Sequence, residues 1–300
     1  MNKIKELITA TFYKALEDDI MTQGAAIAFY TIFSVAPLFI LIVSLSGLFF
    51  SEEMITEQLQ FQLQEFLGED IATNLNQFLA QSSQLQSGAL TSIIASIIVI
   101  FGATTVISQL KLTLNRIWNI GEVKIHSVWH FLLNRLLSFG MIILFSLLLL
   151  TSLIAEAIIG LISAMFLEIL PNVPIDFYQY LSQITTIGFA VIFFTLIFKI
   201  LPDVHAHWLD VMVGALVTTL LFLLGKYLIG LYLSASGIQT AYRAAGSLVV
   251  FVIWVYYNVQ SILLGAVFTQ VYTDMFGGGV LPYKFVEFRG RERNTERLNE

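Results

Sequence analysis

Residues 210–275 read DVMVGALVTTLLFLLGKYLIGLYLSASGIQTAYRAAGSLVVFVIWVYYNVQSILLGAVFTQVYTDM, and this stretch decides the fold. It holds most of two long apolar runs, at 209–233 and 244–272, which a short polar link separates. An α-helix needs about 20 apolar residues to cross a bilayer core roughly 30 Å thick. Both runs are long enough, so the stretch predicts a transmembrane helical hairpin.

Small residues recur along both runs. In lipid the hydrophobic effect gives helices little reason to associate, so small residues that let backbones approach closely mark packing faces. We therefore expect the two helices of this hairpin to pack tightly against each other. The small residues are Gly214, Ala215, Gly225 and Gly230 in the first run, and Ala244, Ala245, Gly246, Gly265 and Ala266 in the second.

The composition of the whole chain agrees with a membrane protein. Hydrophobic residues make up 57% of its 300 residues and charged residues 12%, whereas soluble domains carry about 25% charged residues. The chain has no cysteine, which excludes disulfides, thiolate metal sites and a cysteine nucleophile.

Five segments carry a family resemblance. Three lie in the hairpin and read GALVTTLLFLLGKYLIGLYL, AYRAAGSLVVFVIWVYY and LLGAVFTQVY. Two lie before it, GAAIAFYTIFSVAPL at 24–38 and QLKLTLNRIWNI at 109–120. All five resemble segments of the YihY/BrkB family of bacterial inner-membrane proteins. The segments occur in the same order as in the family, and the similarity covers most of the chain. The resemblance implies a six-helix membrane protein that is often suspected of transport, although some members have carried a ribonuclease label.

Four more apolar segments precede the hairpin. They predict spans at 25–50, 89–110, 136–160 and 178–201. Pro37 interrupts the first span, and a proline kink serves either packing or gating. The fold class is thus an all-α membrane protein with six spans in one domain, 1–280, followed by a tail at 281–300.

Two segments outside the spans are amphipathic. At the N-terminus, apolar residues repeat at helical spacing between lysines, which predicts a helix on the membrane surface and no cleaved signal peptide. Residues 51–88 predict two short amphipathic helices, an outer cap over the bundle. The apolar residues of the N-terminal segment are Ile4, Leu7, Ile8, Phe12, Ala15 and Leu16.

Basic residues predict the orientation. They occur in the N-terminal segment, in the link at 111–135, in the turn at 199–210 and in the tail, whereas the links at 51–88 and 161–177 have none. Positively charged short loops stay in the cytoplasm. We therefore expect a multi-pass protein of the bacterial cytoplasmic (inner) membrane with both termini inside.

Charged side chains at membrane depth are costly and mark candidate sites. Glu156, Lys226 and Arg243 fall near the outer ends of three spans, where they could bind an anionic headgroup or solute. The alternative is that Lys226 snorkels and Glu156 reaches water. On the last span, Asn258 and Gln260 form interhelical hydrogen bonds or line a polar pathway.

At two positions the chain departs from the family that it resembles. Arg243 and Val267 stand where similar members usually have glycine and glutamate. The missing carboxylate argues against proton or cation coupling at that position, and the added arginine changes the outer end.

Enzyme chemistry finds little support in the sequence. His126 and His130 have no apparent third ligand, and His205 and His207 share a short turn with Asp203 and Asp210. Neither pair is expected to bind a metal, and no cofactor is expected. The aqueous segments are too short for a basic nucleic-acid surface, and LNRIWNI at 114–120 is typical of an interface anchor. We predict that the protein is not an enzyme, and specifically not a ribonuclease.

The leading functional hypothesis is binding or translocation of an amphiphilic or anionic substrate, with a lipid as one candidate, between the helices. Membrane lipids are expected partners, and nucleic acid is not. A non-transporting scaffold for envelope assembly is the alternative. Small-residue faces serve folding and self-association equally well, so a homo-oligomer stays open.

Overall fold

The computed structural model describes residues 2–46, 89–121, 136–148, 150–152, 154–155, 158, 160, 175–235, 243–277 and 280–282. The predicted outer cap at 51–88 and the tail beyond 282 lie outside these residues.

The described chain is nearly all helical. The helices are α1 (Asn2–Glu17), α2 (Ile20–Ser46), α3 (Ala89–Ile117), α4 (Leu136–Ser152), α5 (Ile175–Ile200), α6 (Trp208–Ala235) and α7 (Arg243–Phe276). Two short strands, β1 (Val204–His205) and β2 (Leu281–Pro282), pair antiparallel. The sequence did not predict this pairing, which ties the start of the tail region to the turn between α5 and α6.

Three described helices contain stretches that are long and apolar enough to cross a membrane. They are Gln183–Ile200, Trp208–Ile229 and Phe251–Phe276. They coincide with the spans predicted at 178–201, 209–233 and 244–272, so the predicted apolar helices are confirmed there. Shorter apolar helices at Ile20–Ser34 and Leu136–Ser152 lie in two other regions where spans were predicted.

A reciprocal contact between glycine and threonine joins α6 to α7. A Cβ added to Gly214 would lie 1.7 Å from Thr269 Oγ1, and one added to Gly265 would lie 1.8 Å from Thr218 Oγ1. Each threonine therefore occupies the space that a glycine of the other helix leaves free. We call these four residues the Gly–Thr seam.

The hydroxyl groups in the Gly–Thr seam are satisfied inside their own helices. Thr218 donates to the Gly214 carbonyl at 2.9 Å, and Thr269 donates to the Gly265 carbonyl at 2.7 Å. Both threonines are fully buried. An unsatisfied hydroxyl in a dry interface is costly, so these bonds let polar side chains fill the tightest contact.

The same helix pair stays close towards the other end of α6. A Cβ on Gly225 would lie 2.0 Å from the Tyr257 ring, and the Tyr257 hydroxyl donates to the Leu221 carbonyl at 2.7 Å. The prediction of a tightly packed hairpin is therefore confirmed for Gly214, Gly225 and Gly265.

Helix α7 is the centre of the described bundle. Helices α1, α2, α3 and α6 all pack against it, and its Leu263, Ala266 and Val267 are almost completely buried. Helix α2 packs along α3, and α5 packs along α6. Helix α7 thus holds together elements from both halves of the described chain.

Adding one methyl group to the seam tests its importance. Gly265→Ala should lower the stability of the purified protein by about 1–3 kcal/mol, the usual cost of overpacking, because Thr218 cannot move away without losing its hydrogen bond. Thermal unfolding in detergent would measure the loss. Gly188→Ala is the matched control, since nothing lies within 4 Å of its added Cβ. Equal melting temperatures for the two variants would contradict the role of the seam.

Candidate functional site

The QLKLTLNRIWNI segment forms the last turns of α3 and the cap that ends this helix. Asn119 adopts a left-handed conformation with φ 55°, its N–H donates to the Arg116 carbonyl, and the Ile120 N–H donates to the Asn115 carbonyl at 2.8 Å. This pair of bonds is a Schellman motif, which satisfies the free carbonyls at a helix end. The segment therefore turns the chain sharply at one end of the bundle.

Trp118 follows α3 and is only 2% exposed. The prediction that LNRIWNI acts as an interface anchor is therefore wrong for this tryptophan. Because the helix ends just before it, the indole folds into the core, where a tryptophan contributes a large apolar surface. Trp208, which begins α6 and is 56% exposed, has the position expected of an interface anchor.

Asp203, in the turn after α5, is held by two side chains of α3. Asn115 Nδ2 donates to Asp203 Oδ2 at 2.8 Å, and the Asp203 backbone N–H donates to Asn115 Oδ1 at 2.8 Å. Lys111 lies one turn before Asn115, and its Nζ is 2.9 Å from Asp203 Oδ1. Lys111, Asn115 and Asp203 form what we call the Asp203 clamp.

Next to the clamp, Lys199 fixes the other side of the turn. Its ammonium donates to the Ala206 carbonyl and lies 5.2 Å from the centre of the Trp208 ring, which is within the range of a cation–π contact. With the pairing of β1 and β2, these contacts make the turn between α5 and α6 a well-defined structure. The Asp203 clamp was missed in the sequence because its partners are far apart along the chain.

The corner between α1 and α2 holds a partly buried ion pair. Asp19 has a left-handed φ of 49°, and Lys14 Nζ lies 3.1 Å from Asp18 Oδ2. That oxygen is buried. Burial therefore raises the pKa of Asp18, although Lys14 and, at longer range, Arg116 oppose the shift.

The candidate residues near the predicted outer ends are only partly described. Lys226 is half-buried on α6, directly after Gly225. Arg243 begins α7, but its side chain lies outside the described residues, as does Glu156. Pro37 lies inside α2, which continues through it to Ser46, and its side chain is also outside them. Whether Glu156, Lys226 and Arg243 come together therefore stays a prediction.

The two polar candidates on α7 bond to backbone carbonyls. Asn258 donates to the Trp254 carbonyl of its own helix at 2.7 Å. Gln260 Nε2 donates to the carbonyls of Ile20 and Met21 at 3.3 and 3.2 Å, and Gly24 leaves room for this side chain. Gln260 thus makes the interhelical hydrogen bond that was one of its two predicted roles.

Aromatic rings form a continuous chain of contacts across α4, α5, α6 and α7. The centroid distances are 4.9 Å for Phe145–Phe193, 5.5 Å for Phe193–Phe194, 6.2 Å for Phe194–Phe222, 5.6 Å for Phe222–Trp254 and 6.5 Å for Trp254–Tyr257. The first four contacts are tilted or edge-to-face, and the rings of Trp254 and Tyr257 are nearly parallel, at 9°. We call this set the aromatic layer.

Other chemistry-bearing groups are dispersed in the described part of the chain. It contains no group of three His, Asp or Glu side chains that could hold a metal ion. His205 and His207 are exposed, and His126 and His130 lie outside the described residues. Val267, at the position where the resemblance would place a glutamate, is completely buried in α7.

Long apolar helices, small-residue packing and exposed apolar side chains are the features of a helical membrane protein. The chain belongs to the virulence factor BrkB family, whose model matches residues 11–280. A UPF0761 membrane protein of Pseudomonas paraeruginosa is 25% identical over 265 residues, which cover 85% of this chain and 60% of the relative. A UPF0761 membrane protein of Mannheimia succiniciproducens is 26% identical over 287 residues, which cover 92% of this chain and 92% of the relative.

A further relative, a UPF0761 membrane protein of Bordetella petrii, is 24% identical and is covered over 54% of its length. This chain thus spans only part of the Pseudomonas and Bordetella relatives. Their descriptions name a membrane protein and no catalytic activity. None of the solved structures matches this chain.

Removing the amide from the Asp203 clamp should loosen the turn. Asn115→Ala takes two hydrogen bonds from Asp203, so we expect a loss of about 1–3 kcal/mol in thermal unfolding. Leu112→Ala, an exposed position on the same helix, should change little. A double-mutant cycle with Asp203→Ala would isolate the coupling, and purely additive losses would show that the two side chains do not interact.

The Asp18 corner should respond to pH. Because the pKa of Asp18 is raised above its ordinary value of 3.8 in the docked state, docking of α1 takes up a proton, and its attachment should strengthen as pH falls from neutral towards 3.8. The mobility of a spin label at Ala10→Cys would follow docking. Asp18→Asn should remove the pH response and Asp19→Asn should keep it, whereas a looser α1 at low pH would contradict the sign.

Proposed function

We propose that this protein is a six-span inner-membrane protein with both termini in the cytoplasm, and that it binds and translocates an amphiphilic or anionic substrate. The family and the described apolar helices support the membrane location. The positive-inside distribution of lysine and arginine supports the orientation. The substrate would bind near the predicted outer ends of the spans, at Arg243, Lys226 and Glu156.

The observation that carries this proposal is the position of Lys226. Its ammonium belongs to an apolar helix that is long enough to span the membrane, within Trp208–Ile229. It follows the close approach of Gly225 to Tyr257, and its side chain is half-buried. A lysine inside such an apolar helix marks a candidate functional position, and its positive charge suits an anionic group on a substrate.

A translocation path between these helices would have to pass the aromatic layer. It joins four helices through ring contacts, and Lys226 lies one turn beyond Phe222 on α6. Each ring contact contributes only about 0.5–1.5 kcal/mol beyond the area that it buries. We expect the layer to close the path between the two sides in the described conformation, and small movements of α5 and α6 to open it.

Retained lipids would test the binding site. The protein would be extracted in native-membrane discs, and the bound lipids and small molecules would be identified by mass spectrometry. We expect selective enrichment of one anionic species, lost in Lys226→Ala and Arg243→Ala but retained in the charge-preserving Lys226→Arg and Arg243→Lys. Vesicles containing a headgroup-labelled form of that species would then measure flux.

The scaffold hypothesis gives a different result in the same experiment. Retained lipid that mirrors the bulk membrane, unchanged in all four variants, would contradict the substrate site and favour a scaffold for envelope assembly. Loss of protein abundance in Lys226→Ala, with enrichment intact in the surviving protein, would show that the lysine serves folding. Only loss of enrichment at normal abundance supports the proposal.

A further inference from the structure

Helix α1 presents two different apolar faces. Leu7, Thr11 and Ala15 are buried, and they lie on the side of α1 that packs on the bundle, chiefly on α7. Ile8, Phe12 and Leu16 each follow one of these residues directly and are exposed. One residue corresponds to about 100° around an α-helix. The exposed residues therefore form a second stripe beside the buried one, and Ile4 extends this stripe by one turn.

This division corrects the expectation from the sequence. There, Ile4, Leu7, Ile8, Phe12, Ala15 and Leu16 formed a single apolar face on the membrane surface. The structure instead uses Leu7 and Ala15 for packing within the protein. Ile4, Ile8, Phe12 and Leu16 remain exposed, and we call these four residues the outer stripe.

The remaining side of α1 is polar. Glu6 and Glu17 are exposed and charged, and they lie roughly opposite the outer stripe. Lys5 lies two turns before Phe12, on the same side as the outer stripe, and is exposed as well. A lysine in this position can extend its ammonium past apolar neighbours towards lipid headgroups. One side of α1 thus packs against the bundle, a second side is apolar and exposed, and the third side is polar and exposed.

Apolar side chains are also exposed on the next helix, α2. Just after the corner at Asp18 and Asp19, Met21 is exposed on α2, followed further along by Phe29 and Phe33. In a membrane protein, exposed apolar residues on such a helix contact acyl chains. Trp208, which is exposed at the start of α6, has the position of an interfacial aromatic residue. A membrane leaflet is the partner whose chemistry matches such a surface.

We infer that the outer stripe of α1 inserts into the boundary between headgroups and acyl chains of the adjacent leaflet, and that Lys5 binds anionic headgroups there. Helices with an apolar side, a charged side and nearby lysines lie in this boundary. Helix α1 then connects two partners, because its buried side holds α7 while its outer stripe holds the leaflet. A change in the leaflet would act on the central helix of the bundle.

Spin labels can test this inference directly, because the chain has no native cysteine. Single labels at Ile8→Cys, Phe12→Cys and Leu16→Cys would be compared with labels at Glu6→Cys and Glu17→Cys. The full-length protein would be placed in vesicles of phosphatidylethanolamine and phosphatidylglycerol. Oxygen concentrates in the bilayer and a nickel chelate stays in water, so the ratio of the two collision rates reports the surroundings of each label.

We expect a several-fold higher ratio of oxygen to nickel collisions at the three outer-stripe positions than at the two glutamate positions. Equal ratios at all five positions would place the outer stripe in water and overturn the inference. Low collision rates with both reagents at the outer stripe would mean that another protein or a second copy covers it, which would also overturn the inference. All five wild-type side chains are exposed, so these labels should not disturb packing.

The role of Lys5 has its own test. In vesicles without phosphatidylglycerol, the label at Phe12→Cys should show a lower ratio of oxygen to nickel collisions, and Lys5→Gln should give the same decrease when phosphatidylglycerol is present. Glu6→Gln, which changes a charge on the water side, is the matched control and should not decrease the ratio. A ratio that depends on neither lipid charge nor Lys5 would overturn the contact between Lys5 and anionic headgroups. The insertion of the outer stripe is decided separately, by the comparison of the five labelled positions.

Discussion

Close contact between α6 and α7 is the constraint on which the described bundle depends. Between helices in lipid there is little hydrophobic driving force, so van der Waals contact must provide the attraction. The Gly–Thr seam achieves that contact twice, once in each direction, because each helix contributes a glycine and a threonine one turn apart. With α6 in place, the rest of α7 is free to contact α1, α2 and α3.

The helices were easier to predict than their contacts. Apolar length identifies a helix that can span a membrane, and glycine identifies its packing face, so Gly214, Gly225 and Gly265 were recognised correctly. Thr218 and Thr269 were not, because a threonine in an apolar helix looks the same whether it bonds within its helix or across to another. The division of α1 into two apolar sides was also invisible, since periodicity shows which residues align but not what covers them.

The Asp203 clamp and Trp118 show the same limit at the candidate site. Asn115 and Asp203 are 88 residues apart, and their contact depends on where α3 ends. Tryptophan is suited both to interfaces and to cores, so its type alone did not place Trp118 correctly. The turn between α5 and α6 is held from several directions, while Lys226 lies on α6 well beyond it. The conformational change that we propose would therefore pivot about this fixed turn.

The central position of α7 has a consequence for how the protein is made. Helices α1 and α2 are synthesised before α7, on which both of them pack. Gln260 and the backbone of α2 are separated by 240 residues, so their hydrogen bond cannot form until α7 has been made. The faces of α1 and α2 that α7 covers must therefore have other contacts until then.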